Sequence, residues 1–467
     1  MTNNTDGAVL IYSIHRTEHW FAHLGRNMGF AQSAVVSCLP GEGDYNVIAD
    51  FQKHQKAYYA QGAMHSELLT AEEVKDMTAR CRVLRFMGAR RAASMALGMA
   101  EAFSLVLDAV NPVAIVSFPI DRYVSDVLEH VARKRGIPFY ELTVSALPDQ
   151  SMLLKKGALL KHPEDPDPEL VTRGVEEMAT PLYTPSYVQG KDTFTQWKFF
   201  KVLAYFRLRG FVFRLFSIWY RDRLNLHYLD AQSWLGHKPR ISDRKVTGLM
   251  DRDWQSKLDT FPEDKRLFIA LQLFPEASID YWVRDLGIVD YENTLVEIAQ
   301  TFSAAGYAVV VKDHPQQFGF RQIGLLKRLL AIEGVILVPY EVPGTSVLAQ
   351  CNINFTTTGT LGLQAALLGL KSIVTENYYS TEEDFIVLHD RAGVSDLPAR
   401  VEAMEPPADL EAGQRRIITN LQCGSFESDF FSFQGFDPNA PSAGATELGR
   451  LIGIEVRRFL AYEAREN

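Results

Sequence analysis

Two stretches in the second half of the chain decide the fold: AVVVKDHP at Ala308 to Pro315 and NINFTTTGTLGLQAALLGLKSIV at Asn352 to Val374. The first contains three consecutive valines, which predict a buried strand of a parallel sheet. The strand is expected to stop at Lys312-Asp313-His314-Pro315, because proline cannot continue the hydrogen-bonded ladder. His314 should therefore lie at the carboxyl edge of the sheet, where open α/β sheets bind ligands.

The second stretch begins with a short predicted strand, Ile353 to Phe355, and continues through Thr356-Thr357-Thr358-Gly359-Thr360 into an apolar helix. Hydroxyls and a glycine at a helix start leave backbone N–H groups free, and the helix dipole adds positive potential there. An ordinary capped helix start is the simpler interpretation, but consecutive threonines exceed what capping needs. An imidazole and a helix N-terminus at one sheet edge predict a pocket for the phosphates of a nucleotide.

Length and composition indicate a globular protein of two domains. At 467 residues the chain exceeds one ordinary core, and its 47% hydrophobic and 22% charged residues are typical of soluble proteins. A formal net charge of -9 argues against a general nucleic-acid binder. The apolar stretch Ala8 to Ile14 is too short for a signal peptide or a membrane span. The cysteines form no metal-binding cluster, which favours reduced thiols, a cytoplasmic location and no structural zinc; they are Cys38, Cys81, Cys351 and Cys423.

Strand and helix signals alternate in both halves of the chain, which predicts βαβ units and mostly parallel sheets. The predicted strands of the first half include Ala8 to Ile14 and Val113 to Phe118, and a long helical region covers about Ala71 to Val110. The alternation restarts at Arg266. We expect an α/β fold of two Rossmann-like domains whose parallel sheets face a central cleft. The predicted divisions fall at residues 1–190, 191–245, 246–430 and 431–467, the last being a helical segment that packs back on the first domain.

The segment between the halves, Phe194 to Tyr228, is aromatic and basic in an otherwise acidic chain. One interpretation is a helix that lies on an anionic membrane surface or holds a lipid-linked acceptor. The other is an interdomain helix whose aromatic side chains pack in the core while the basic side chains extend to solvent. The local excess of basic residues favours the membrane interpretation.

Three motifs of the second half occur in an order that resembles a known group of proteins: LQLFPE at 271–276, KDHP at 312–315 and TGTLGLQA at 358–365. They are similar to those of bacterial capsule and surface polysaccharide biosynthesis proteins, a group that includes the capsule Kdo transferases. That group has a Gln-containing strand, a Lys-x-His-Pro loop and a (Ser/Thr)-(Thr/Gly)-x-Gly-hydrophobic-Glu-Ala helix. The resemblance covers about Arg266 to Tyr379 and implies a GT-B glycosyltransferase, with the acceptor on the first domain and the nucleotide-sugar on the second.

The resemblance also implies roles for individual residues. His314 and the turn formed by Thr357, Thr358, Gly359 and Thr360 would bind the nucleotide phosphates, assisted by Lys312. The loop that carries Tyr340 would hold the base. This chain departs from the group at Gln364, where the group usually has a glutamate that takes the ribose hydroxyls. An amide can still form those hydrogen bonds but adds no charge.

A catalytic carboxylate or base must complete such a site. Glu276 is the first candidate because it follows the Gln-bearing strand, although a carboxylate there could simply favour a helix dipole. His15 and Asp121 are the next candidates, since both follow predicted strands of the first domain. A solvated turn explains these two residues equally well.

No metal is expected in the site. Two DxD triplets occur, Asp165-Pro166-Asp167 in a proline-rich loop and Asp251-Arg252-Asp253 at a polar helix start, and both positions favour chance over a metal site. A helix dipole together with His314 and Lys312 can neutralise a leaving phosphate without a metal. The nucleotide-sugar is then a substrate, and no cofactor is expected.

The sequence thus predicts a metal-independent sugar transferase that moves a sugar from a nucleotide-activated donor, CMP-linked by analogy with the Kdo transferases, to a growing surface glycan or glycolipid. One alternative is a polyol-phosphate transferase of the teichoic-acid type that uses a CDP-activated alcohol. Another is a catalytically inactive GT-B scaffold in a glycan assembly complex. The predicted location is the cytoplasm, with peripheral contact at the inner face of the membrane and no nucleic-acid partner. The donor, the acceptor, the stereochemistry and the oligomeric state stay open.

Overall fold

The strands of the chain form two separate sheets in a computed structural model, which describes residues 7–14, 17–181, 183, 196–219, 240–273, 276–318, 321–405, 407–428 and 443–466. The strands are β1 (Ala8–Ser13), β2 (Gln32–Ser37), β3 (Tyr45–Asn46), β4 (Pro112–Ser117), β5 (Phe139–Val144), β6 (Gln150–Lys155), β7 (Ala158–Leu159), β8 (Arg266–Ala270), β9 (Ala308–Lys312), β10 (Val335–Val338), β11 (Ile353–Phe355), β12 (Lys371–Thr375), β13 (Ile386–Leu388) and β14 (Ser425–Glu427).

The helices cover both faces of the sheets. They are α1 (Glu18–Asn27), α2 (Ile48–Gln61), α3 (Ala71–Arg80), α4 (Ala89–Val110), α5 (Tyr123–Lys134), α6 (Pro168–Met178), α7 (Gln196–Trp219), α8 (Trp254–Leu258), α9 (Leu286–Val289), α10 (Tyr291–Ala304), α11 (Ile323–Leu330), α12 (Gly344–Leu348), α13 (Thr360–Leu367), α14 (Leu397–Ala403), α15 (Leu410–Gln422) and α16 (Ala443–Glu466). Short 3₁₀ segments lie at Leu84–Phe86, Ile241–Leu249, Glu263–Lys265, Pro315–Gln317 and Arg391–Asp396, and a π-helical turn lies at Ser278–Trp282.

The second sheet has the Rossmann strand order. Its strands run β10-β9-β8-β11-β12-β13, and every neighbouring pair is parallel. The chain order therefore reverses between β8 and β11, and the crevice beyond their carboxyl ends is where such sheets bind ligands. The strands are buried on both faces, so they read as continuous apolar runs: Val309 and Val311 face one core cluster, while Ala308 and Val310 face another.

The first sheet follows the same plan in its parallel part and extends it with antiparallel strands. The order is β14-β6-β5-β4-β1-β2-β3, with β1, β2, β3, β4 and β5 parallel and with β6 antiparallel to β5, β7 and β14. The order reverses between β1 and β4, which places a second crevice beyond their ends. Both sheets thus confirm the predicted α/β fold of two Rossmann-like units.

A shared hydrophobic cluster packs the two units against each other. Met152 and Leu154 of β6 belong to the same cluster as Leu363 of α13 and Leu421 of α15. The chain also returns to the first unit near its end, because β14 pairs with β6 and α16 packs on α1. This return begins at Ser425, before residue 430, which the sequence analysis gave as the end of the second domain.

The helical region predicted near Ala71 to Val110 is divided into α3 and α4. Thr70 and Glu73 form a capping box at the start of α3, and the chain leaves the helix at Cys81. Among the described residues, α4 has the length and mean hydropathy of a membrane span, 1.5 over its most apolar window, but 67% of that window is buried. Its side chains belong to a core cluster of the first unit, which explains the apolar composition.

Candidate functional site

Gln272 lies at the centre of the polar site at the carboxyl edge of the second sheet. It follows β8, and its Oε1 accepts hydrogen bonds from the Thr358 backbone N–H at 2.9 Å and from the hydroxyls of Thr356 and Thr357. Its Nε2 donates to Thr358 Oγ1 at 3.0 Å. The Gln272 side chain, which follows β8, therefore fixes the turn that follows β11. This is the point where the strand order reverses.

The threonine turn leaves no room for a side chain at Gly359, because the Thr356 hydroxyl lies too close to that position. A Cβ there would lie 2.6 Å from Thr356 Oγ1 and 3.4 Å from side-chain carbons of Gln272. Gly359 also precedes α13, which begins at Thr360. The turn thus leads into a helix N-terminus, whose first backbone N–H groups suit an anion, while the threonine hydroxyls are already hydrogen-bonded within the protein.

Glu276 lies beside the glutamine that holds the threonine turn. Its Oε2 accepts a hydrogen bond from Gln272 Nε2 at 3.2 Å. Burial raises the pKa of Glu276 to about 7, against the lowering effects of the Gln272 hydrogen bond and of the Arg82 guanidinium. A carboxyl group with this pKa exchanges a proton near neutral pH, which general acid–base chemistry requires.

Arginines of the first unit reach the same region across the boundary between the units. Arg82 Nε and Arg85 Nη1 lie 3.5 and 3.3 Å from the carboxylate oxygens of Asp280, which is fully buried in the π-helical turn after Glu276. Arg80 donates to the backbone carbonyls of Asp280 and Val283 at 3.2 and 2.6 Å. These contacts hold the segment that carries Glu276 against the first unit.

A second polar cluster lies one strand away, around Asp313. Its Oδ1 accepts from Arg321 Nε at 2.9 Å and from the His314 backbone N–H at 2.8 Å, and its Oδ2 accepts from the Tyr340 hydroxyl at 2.6 Å. Arg321 also donates through Nη2 to the backbone carbonyl of Gln272. The buried Arg321 guanidinium therefore joins the two polar clusters at the edge of the sheet.

The predicted phosphate ligands of the KDHP motif lie where the sequence analysis expected them, at the end of β9. His314 is half-buried and follows the strand, and Lys312 is its last residue. Burial lowers the pKa of Lys312, against the raising effects of Asp313 and Glu341, and its Nζ lies 3.3 Å from the Asp313 carbonyl oxygen. Tyr340, the predicted base-binding residue, lies in the same cluster through its hydrogen bond to Asp313.

Gln364 lies away from these clusters, on the side of α13 that faces the first unit. Its Nε2 donates to the backbone carbonyls of Thr180, Pro181 and Tyr183 at 3.5, 3.3 and 3.2 Å. A carboxylate could not donate these bonds, so the amide at this position suits the packing of the two units. Its predicted part in nucleotide binding stays a prediction.

Of the candidates from the first unit, Asp121 belongs to the other crevice. Asp121 follows β4 at the point where the order of the first sheet reverses, and its carboxylate pairs with Arg122 at 2.8 Å. Its backbone carbonyl accepts a hydrogen bond from Arg82 Nη2 at 3.2 Å. Asp121 therefore contacts one of the two arginines that pair with Asp280. His15, the other candidate, lies outside the described residues.

The DxD triplets lie in other surroundings. Asp167 caps α6 by accepting from the Glu169 backbone N–H at 2.9 Å, and Asp251 pairs with Lys257 at 2.6 Å. Within the described ranges, Asp126, Glu129 and His130 lie close enough together to hold a cation, but Lys156 Nζ already lies 3.2 and 2.9 Å from the two carboxylates. The ammonium group supplies the positive charge that this cluster needs.

Several residues of the site were not predicted from the sequence. Gln272 belongs to the LQLFPE motif, but the local sequence does not predict its contacts with the threonine turn. Asp280 and Arg321 carry no local signal, because their partners are distant in the chain. The unit-bridging arginines had one available signal, the basic cluster at 80–85 that interrupts an apolar helical region; they are Arg80, Arg82 and Arg85.

Similarity of this chain to known proteins is confined to solved structures. No protein-family model matches it, and neither does any curated sequence. Among solved structures, the beta Kdo 2,7 transferase KpsC of Thermosulfurimonas dismutans is 12% identical with a TM-score of 0.35, covering 96% of this chain and 99% of that one. A glycosyltransferase of Rickettsia africae is 8% identical with a TM-score of 0.27, covering 98% and 99%. The UDP-GlcNAc 2-epimerase of Neisseria meningitidis, solved with UDP-GlcNAc, is 10% identical with a TM-score of 0.22, covering 89% and 99%.

Proposed function

We propose that this protein is a glycosyltransferase that moves a sugar from a nucleotide-activated donor to a growing surface glycan. The observation that carries the proposal is the position of Glu276, whose carboxyl group is hydrogen-bonded to the glutamine that fixes the threonine turn. An ionisable group with a pKa near neutrality and a helix start that would bind an anion thus occupy one sheet edge, which supports the proposal.

The donor would bind with its phosphates at the turn. Backbone N–H groups at the start of α13, together with His314 and Lys312, would stabilise the charge that develops on the leaving nucleotide phosphate. Their positions at the ends of β9 and β11 are those at which Rossmann-like sheets bind nucleotides. Tyr340 would lie beside the base, as the resemblance to the capsule group implies.

Glu276 would act on the sugar rather than on the nucleotide. As a carboxylate it could accept the acceptor's proton, stabilise positive charge at the anomeric carbon, or attack that carbon. Each role requires the ionised form, which becomes abundant as the pH rises through about 7. Arg82, which lies beside Asp280, favours that ionised form, and the arginines around Asp280 would also favour an anionic acceptor.

A thermal-shift screen of CMP-, UDP-, GDP- and CDP-linked donors tests the donor half of the proposal. A ligand that binds the folded chain raises the apparent melting temperature by mass action. At a free ligand concentration of one hundred times Kd, the folded state is stabilised by about 2.7 kcal/mol. The responding base identifies the donor class. The variant His314→Ala should lose the response, whereas His389→Ala, at an exposed position of the same unit, should keep it.

A product assay with the responding donor tests the chemistry. Transfer of the sugar with release of the nucleotide supports the proposal. Transfer of a phosphorylated alcohol through a phosphodiester bond would replace it with the polyol-phosphate alternative, because the two products differ in mass and acid lability. Nucleotide binding without turnover on any offered acceptor would favour the inactive scaffold.

A further inference from the structure

Among the side chains of helix α7 (Gln196–Trp219) that the structure describes, those packed on the second unit lie near its start. Phe199 is 2% exposed and packs edge-to-face against Phe318, with ring centroids 5.4 Å apart, and Leu203 packs on the same core cluster. From Ala204 onward, every side chain of this helix that the structure describes is exposed. The described side chains of this later part of the helix therefore face away from the core.

Exposed apolar side chains of α7 form a stripe along one face of the helix, which we call the outer stripe. Its members recur at helical spacing and so share one face of the helix: Trp197, Tyr205, Leu208, Phe211, Val212 and Leu215. Three of them, Trp197, Leu208 and Phe211, are more than 60% exposed, at 67%, 65% and 61%. Several large apolar side chains exposed together on one helix face are unusual in water and mark an interaction surface.

The charges of α7 indicate what covers the stripe. The helix contains five basic residues and no acidic one, in a chain whose formal net charge is -9. Exposed Lys201 lies within the outer stripe and exposed Arg207 lies at its border. An apolar face with aromatic residues and a basic margin suits the boundary between lipid headgroups and acyl chains. We infer that α7 docks this protein on an anionic lipid surface through the outer stripe.

The attached end of α7 leads directly to the candidate site. Phe318, which packs against Phe199, also packs edge-to-face against Tyr340 at 5.4 Å, and the Tyr340 hydroxyl donates to Asp313. Asp313 in turn accepts from the backbone N–H of His314. A lipid surface bound by α7 would therefore lie close to the KDHP loop, where a membrane-bound acceptor is within reach. Lipid binding itself does not depend on the proposed reaction.

Vesicle co-sedimentation of the full chain tests the inference. Vesicles of phosphatidylcholine with about one third phosphatidylserine should bind the protein at low salt, and pure phosphatidylcholine vesicles should bind it much less. The double variant Lys201→Gln/Arg207→Gln should weaken binding about thirtyfold, because each basic residue near such a surface contributes about one kcal/mol. Raising the salt concentration should have a similar effect, since it screens surface charges.

A matched control separates this surface from the general charge of the protein. The variant Lys53→Gln/Lys56→Gln removes two exposed lysines from α2 and should bind vesicles like the wild type. The variant Leu208→Ser/Phe211→Ser removes apolar area from the outer stripe and should also lose binding. Because all of these positions are exposed, the melting temperatures should stay close to that of the wild type.

Three results would overturn the inference. The first is a wild type that never binds anionic vesicles, and the second is an equal loss of vesicle binding in the α2 and α7 charge variants. The third is a wild-type dimer that becomes a monomer in the Leu208→Ser/Phe211→Ser variant while vesicle binding is absent. The last result would show that a second copy of the chain covers the stripe. Light scattering after gel filtration measures it, and neither method requires an active enzyme.

Discussion

The side-chain amide of Gln272 donates to Glu276 Oε2 at 3.2 Å while its carbonyl oxygen accepts from the Thr358 backbone N–H at 2.9 Å. One side chain thus binds the candidate acid–base group and the candidate phosphate turn at the same time. Because an amide has one donor end and one acceptor end, this arrangement fixes its orientation. The distance between the two groups is therefore set by the protein before any ligand binds, and preorganisation of this kind favours catalysis.

The first prediction concerns the charge of Glu276. Glu276→Gln should keep donor affinity within about threefold of the wild type and lose at least a hundredfold in kcat, because the proposed roles all need a carboxylate in the transition state. Donor affinity is measured by calorimetry and kcat by nucleotide release. A variant with normal kcat and weak binding would instead make Glu276 a binding residue and direct attention to Asp121 and His15.

The second prediction concerns stability, because burial raises the pKa of Glu276 to about 7 from its ordinary value of 4.5. Between these pH values the folded protein retains a proton that the unfolded chain releases, so stability falls as the pH rises and the loss is complete above about pH 7. Glu276→Gln removes this effect. At pH 8 the variant should be more stable than the wild type by at most about 3 kcal/mol, and at pH 4 it should gain nothing.

Melting curves of both proteins at pH 4 and pH 8 measure this difference. Other titrating groups, including buried Glu141, whose pKa burial also raises to about 7, affect both proteins equally and cancel in the comparison. Glu176→Gln, which changes an exposed carboxylate, serves as the control and should show no pH-dependent gain. A Glu276→Gln variant that is less stable than the wild type at pH 8 would contradict the prediction.

The fold could be predicted from the sequence because the parallel strands of both sheets are buried on both faces. Runs such as Val309 to Val311 indicate interior strands. The strand β9 contains these predicted residues, and β11 was predicted at its observed bounds, Ile353 to Phe355. The strand β14 was not predicted, since a short strand of mixed polarity that pairs with β6 has no periodic signal. Its pairing depends on residues far away in the chain.

The site was predictable in part for the same reason. Residues that follow parallel strands gather at one edge, so the positions of His314, Glu276 and the threonine turn followed from strand order. The contacts across the unit boundary did not follow from it. Asp280 is a single carboxylate in an unremarkable segment, and only the tertiary structure brings Arg82 and Arg85 to it.

The third prediction concerns His314. His314→Ala should reduce transfer at least a hundredfold and leave the melting temperature nearly unchanged, because a half-buried imidazole on a loop contributes little to the core. The control is His389→Ala, whose imidazole is exposed and pairs with Glu382 at the surface of the same unit. Wild-type turnover in His314→Ala would remove the KDHP loop from the proposed site.

The fourth prediction is that transfer does not require a metal ion. The helix start, His314 and Lys312 supply positive potential for the leaving phosphate, so full activity is expected after incubation with excess EDTA. The measurement is nucleotide release before and after chelation, with manganese and magnesium added back. Strict dependence on either ion would direct attention to Asp165 and Asp167, to Asp251 and Asp253, and to the Asp126 cluster.

The fifth prediction tests the communication between the two units. The Arg82 guanidinium lowers the pKa of Glu276, so Arg82→Gln should raise that pKa and move the acidic limb of the kcat profile to higher pH by about one unit. Arg85→Gln is the matched control, since Arg85 also pairs with Asp280 but is not among the groups that shift the pKa of Glu276. If both variants only lose stability, or if the acidic limb of the kcat profile moves equally in the two variants, the arginines hold the units together without acting specifically on Glu276. If the acidic limb shifts in Arg82→Gln alone, the protonation state of Glu276 depends on an arginine that the first unit supplies across the boundary between the units.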